Sequence, residues 1–175
     1  MNFRRHGSIL ALGVIGGVLL AGAVHAAEVS MADGSINFTT PANWVSIMQT
    51  QGESESQVFQ VPDPSATGKT SLARVTVTVT HVPDINHFQQ FMAEATAKAL
   101  VLPSYKVAPE APQPDSNIYT ARENHVAFSY TERYWLKQGL AIQLRCMRPS
   151  QSLAGATWGA DFDKGCASVA AQLKK

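Results

Sequence analysis

Near the end of the chain, Leu140, Ile142, Leu144 and Cys146 alternate with polar or small residues, so a strand here carries all four on one face. Phe162, Cys166, Val169 and Leu173 recur every three or four residues, which predicts a closing helix with all four on one stripe. Each cysteine thus lies on the apolar side of its own element. A bond between them would staple the closing helix onto the sheet.

The same two periods divide the rest of the chain. Ala73, Val75, Val77 and Val79 alternate with Arg74, Thr76, Thr78 and Thr80, predicting a strand with one apolar and one hydroxyl-lined face. A mid-chain helix follows, capped by Asp84 or Asn86, with Phe88, Phe91, Met92, Ala95, Ala99 and Leu102 on its apolar side and Pro103 beyond its end. That helix counts against an up-and-down ligand barrel. Earlier, Glu28 to Met31 and Ser35 to Thr39 flank Asp33-Gly34, a turn pair that suits a hairpin. Trp44 reads as a core anchor ahead of a strand over Val45 to Gln49. Ser56 to Val61 alternates again, Pro62 to Thr70 reads as a surface loop, and Tyr105 to Ala108 and Asn117 to Glu123 as strands.

The last strand is the second arm of a long hairpin. With Lys137-Gln138-Gly139 as a three-residue turn, Leu136 pairs with Leu140, Tyr134 with Ile142, Glu132 with Leu144 and Tyr130 with Cys146. Glu132 is then an odd carboxylate on an apolar face. It is either a buried acid fit for chemistry or a sheet-edge glutamate paired with an arginine or a tyrosine hydroxyl. This register puts Arg133, Trp135, Gln143, Arg145 and Met147 together on the opposite face. Those residue types suit an interface centre, and equally the cover for a second helix.

The first 26 residues change the picture of the compartment. Arg4 and Arg5, an apolar run from Ile9 to Ala23, and Val24-His25-Ala26 form the pattern of a secretory signal peptide, with cleavage expected after Ala26 or Ala27. The apolar run is too short and too rich in Gly and Ala for a span, and no cysteine stands near the cleavage point to carry lipid. The expectation is a periplasmic protein with no membrane anchor, a signal peptide over residues 1–26 and one domain over residues 27–175. Removing Arg4 and Arg5 from 14 basic residues leaves 12 against 13 acidic, a formal charge of −1. Such a surface argues against nucleic-acid binding. Export also favours a disulfide between Cys146 and Cys166 over a thiol or metal pair, since no Cys-x-x-Cys spacing is present.

Candidate chemistry is sparse. Gly68-Lys69-Thr70 resembles the end of a phosphate loop, but Asp63 stands where the first glycine belongs and a strand follows. His81 and His87 lack a third ligand at metal spacing, so neither a metal nor another cofactor is expected. Esterase, zinc-protease, Ser-x-x-Lys and dinucleotide-binding motifs are missing. Asp161 and Asp163 read as acids at the start of the closing helix.

A strand hairpin running into Phe38-Thr39-Thr40-Pro41-Ala42-Asn43-Trp44, then a valine-rich strand, a mid-chain helix, a long hairpin and a closing helix bearing Phe162, resembles the PsbP-like superfamily. That superfamily includes the Ran-binding Mog proteins and DcrB-type envelope proteins. The resemblance implies an α+β fold, an antiparallel sheet with both helices packed on it, and a non-catalytic binding role. It transfers no catalytic residue. The expected function is a periplasmic accessory protein that binds another periplasmic or delivered protein, in its most concrete form an immunity protein of a secretion system. The alternative is a periplasmic hydrolase or small-ligand binder using Glu132 and His125.

Overall fold

The computed structural model describes residues 26–109 and 113–175. The expected signal peptide lies outside them save for Ala26, as do residues 110–112 of the proline-rich loop. The fold is α+β. A short hairpin of β1 (Glu28–Met31) and β2 (Ile36–Thr39) turns through Ala32, Asp33 and Gly34, all at positive φ. The strands β3 (Val45–Thr50), β4 (Ser54–Val61), β5 (Ala73–His81), β6 (Lys106–Val107), β7 (Ser116–Glu123), β8 (Val126–Lys137) and β9 (Leu140–Pro149) form one antiparallel sheet. Their order across it is β3-β4-β5-β9-β8-β7-β6. The helices are α1 (Ala66–Thr70), α2 (Ile85–Leu100) and α3 (Gly155–Leu173).

Helices α2 and α3 lie on opposite faces, each over a different half of the sheet. On the first face, Val75 and Val77 of β5, Ile142, Leu144 and Cys146 of β9, and Phe59 of β4 meet Phe162, Cys166, Val169 and Leu173 of α3. Phe38 and Trp44 complete this core. Val75 and Val77 are both 0% exposed, and burying each contributes about 1.5–3 kcal/mol. A disulfide joins Cys146 of β9 to Cys166 of α3, with Cα atoms 6.4 Å apart. On the second face, Phe88, Phe91, Met92, Ala95 and Ala99 of α2 pack on Tyr134, Ala141, Tyr119 and Tyr130 of β7 to β9. Asp84 caps α2 by accepting from the His87 amide.

Three sequence expectations need correction. Residues 62–70 are not all loop: Ser65 caps a single helical turn, α1, that contains Gly68-Lys69-Thr70. A Cβ on Gly68 would collide with the Asp63 carbonyl, so tight packing rather than phosphate binding explains this glycine. Helix α3 starts at Gly155, which places Asp161 and Asp163 inside it, and Asp163 takes two hydrogen bonds from Arg148. The third correction concerns the long hairpin. Its turn has two residues, Gln138 and Gly139, both at positive φ, and Lys137 pairs with Leu140. Mirror-image turns of this kind match the twist of the flanking strands. The observed partners are therefore Leu136 with Ala141, Tyr134 with Gln143, Glu132 with Arg145 and Tyr130 with Met147.

Candidate functional site

A one-residue change of register moves every side chain of a strand to the other face of its partner. The five residues expected to share one face are accordingly split. Arg133, opposite Leu144, and Trp135, opposite Ile142, belong to the α3 side, where Trp135 packs half-buried on the core. Gln143, Arg145 and Met147 belong to the α2 side with Glu132, Tyr134 and Tyr130. Met147 is buried there, so Gln143 and Arg145 alone of the five reach the cleft on this side.

That cleft lies between α2 and the hydroxyl face of β5 and has a volume of about 620 Å³. Thr76, Thr78, Thr80 and Ser54 form its floor, and Phe91, Ala95, Ala99 and Leu102 its apolar wall. The floor follows from the β5 alternation: valines fill the α3 core, so the threonines must face the other way. Two of them are braced by β4, Thr78 by Ser56 at 3.0 Å and Thr80 by Ser54 at 2.8 Å.

In the cleft lining, Glu132 is 2% exposed and fully engaged. The Tyr119 hydroxyl donates to its Oε1 at 2.9 Å and the Tyr134 hydroxyl to its Oε2 at 2.6 Å. Arg145 Nε stands 3.1 Å from Oε1, a charge contact without the alignment of a hydrogen bond. The Arg145 guanidinium also lies 5.1 Å over the Tyr130 ring, which stacks on Tyr119 at 4.6 Å. Burial first, and then the neighbouring Glu132 charge, push the Tyr119 and Tyr134 phenols well above the ordinary tyrosine range. Burial also raises Tyr130, helped by the hydrogen bond it gives Glu123. For Arg145 burial works downward, but the surrounding phenols and carboxylate outweigh it and hold the guanidinium protonated. Of the two readings of Glu132, the paired one describes this geometry, in the interior of the sheet rather than at its edge.

The histidines stand elsewhere. His125 sits at positive φ in the β7–β8 turn, His81 is exposed at the end of β5, and His87 binds the Asp84 carboxylate at 2.8 Å. Neither His81 nor His125 lines the cleft with Glu132. Among the described residues, no three His, Cys, Asp or Glu side chains are grouped to hold a metal ion. Among them, too, no helix is long and apolar enough to cross a membrane.

A second surface escaped the sequence reading. Strand β3 is one edge of the sheet, and all six of its residues are exposed. Val45, Ile47 and Met48 are 52%, 45% and 56% exposed, and the strand holds no charge and no proline. Edge strands are normally protected by such residues, by brevity or by bulges; the opposite edge strand, β6, has only two residues, and β3 carries an irregularity of register at Ile47. The signal was visible in Val45 to Thr50 as uninterrupted apolar and polar uncharged residues, but edge status is a property of the assembled sheet.

Protein-family models and the curated proteins were both searched, and neither holds a match to this chain.

Proposed function

We propose that this protein is a non-catalytic binding module of an oxidising, exported compartment that recognises another protein by adding one of its strands to β3. The observation that carries the reading is the open edge: six exposed residues, uncharged, with Val45, Ile47 and Met48 uncovered. An extended segment on that edge satisfies the unpaired backbone groups, and alternate side chains give it specificity. The uncharged strand selects an uncharged, partly apolar segment. The partner in this reading is a different polypeptide, periplasmic or delivered there, and protection against a delivered toxin is the most concrete form of the role. The disulfide supports the compartment, and the order of elements is the basis for a likeness to the PsbP-like superfamily.

A photo-crosslinking residue at Met48 in the exported protein tests this. One defined protein should crosslink there, should not crosslink from Leu153, and should be lost when Ile47→Lys is added. Equal crosslinking from both positions, or indifference to Ile47→Lys, overturns the proposal. The hydrolase reading has no comparable support, because Glu132 is held by two tyrosines and an arginine and has no histidine beside it.

A further inference from the structure

The cleft under α2 has a chemistry of its own, independent of the β3 edge. Glu132 also lines the cleft, but it is 2% exposed and its two oxygens are occupied by Tyr119, Tyr134 and Arg145. What reaches the open space is the other side of that ion pair. Arg145 lines the cleft and keeps 35% of its side chain exposed, while its Nε is sealed off without a hydrogen bond. Lys98 of α2 lines the same space from above, and the Thr76, Thr78 and Thr80 hydroxyls line it from below. A guanidinium fork fits the two oxygens of a carboxylate. Its orientation is fixed in advance by Glu132 on one side and by the Tyr130 ring beneath it.

The remaining charges restrict the ligand further. Glu94 and Glu123 line the cleft together with Glu132; Glu123 is already matched by Arg74 at 2.9 Å and Glu132 by Arg145 at 3.1 Å. A dianion such as phosphate would meet these carboxylates, whereas a single negative charge at Arg145 and Lys98 is accommodated. The wall of Phe91, Ala95, Ala99 and Leu102 then receives an apolar body. A volume of about 620 Å³ falls in the range of small-molecule sites. We infer that the cleft between α2 and β5 binds a small monocarboxylate with an apolar body, its carboxylate on Arg145 and Lys98.

The test is an amide chemical-shift titration of the signal-free, oxidised protein with hexanoate. Hexanamide serves as the neutral control, inorganic phosphate as the dianion, and N-acetylphenylalanine as the mimic of a chain end. Hexanoate should give saturable shifts at Thr76, Thr78, Gln143 and Arg145, with hexanamide at least about tenfold weaker and phosphate without effect. Lys98→Ala, on the exposed face of α2, should weaken hexanoate several-fold and leave the spectrum of the free protein otherwise unchanged. Arg145→Lys keeps a counter-charge for Glu132 but loses the fork, and should weaken it about tenfold or more. A tighter response to N-acetylphenylalanine than to hexanoate assigns the site to chain ends; the reverse assigns it to free acids. Equal responses to hexanoate and hexanamide, or shifts confined to other surfaces, overturn the inference. Ile47→Lys should leave hexanoate binding intact, which separates failure here from failure of the edge-strand reading.

Discussion

Replacing Arg145 by methionine removes the one cation that, among the described residues, pairs with a carboxylate that is 2% exposed. Glu132 would keep the phenol hydrogen bonds from Tyr119 and Tyr134 but lose its counter-charge. Breaking one side of a buried ion pair costs about 3–5 kcal/mol. Because Arg145 is itself about one-third exposed, water reaches the pair and the low end applies, near 3 kcal/mol. Glu132→Gln removes the charge and keeps the shape; one of the two phenols must then accept rather than donate, at about 1–2 kcal/mol. The double variant leaves no buried charge, so it should be less destabilised than the sum of the singles, with a coupling of about 1–3 kcal/mol. Urea unfolding reads all three. With an m-value near 2 kcal/mol/M, Arg145→Met should lower the midpoint by about 1.5 M. A cost below about 1 kcal/mol for Arg145→Met, or strict additivity, would show that the pair behaves as a surface contact and refute the account of this network.

Other consequences can be checked on the same protein. Replacing Cys146 and Cys166 by serine together should lower stability by a little over ~3 kcal/mol, the chain-entropy value for a loop of 20 residues, seen as a lower urea midpoint; an unchanged midpoint would contradict it. Tyr119, Tyr130 and Tyr134 have pKa values raised by the fold, so the folded state holds their protons more tightly than the unfolded state does. Stability from these groups is complete below pH ~10 and falls above it, by about 1.4 kcal/mol per pH unit for each tyrosine. Phenolate absorbance from these three should therefore appear together with unfolding, and its appearance near pH 10 with the near-ultraviolet dichroism intact would count against their burial. Gly139→Ala places a side chain at φ +77° in the hairpin turn and should cost about 1 kcal/mol by thermal or urea unfolding. Gly68→Ala should cost about 1–3 kcal/mol by the same measurement, because its Cβ collides with the Asp63 backbone.

The alternation of Val75, Val77 and Val79, and of Leu140 to Cys146, determined by itself which strands exist and which of their faces is apolar. The three- and four-residue spacing of Phe162, Cys166, Val169 and Leu173 did the same for the closing helix, and with the β9 pattern it placed both cysteines where they meet. These features are local: side-chain direction follows from the backbone period alone. The partner face of β8 was not legible in that way, because it depends on whether the turn holds two residues or three. Opposite charges at Glu132 and Arg145 were the available signal, since they face each other only with the two-residue turn. Tertiary structure decided the rest. The side-by-side pairing of β5 with β9 joins segments far apart in sequence, leaves β3 at an edge, and lets α2 cover one half of the hydroxyl face while the other stays open. No periodicity encodes that division, because it is set by which strands become neighbours and by where each helix finds apolar surface to bury.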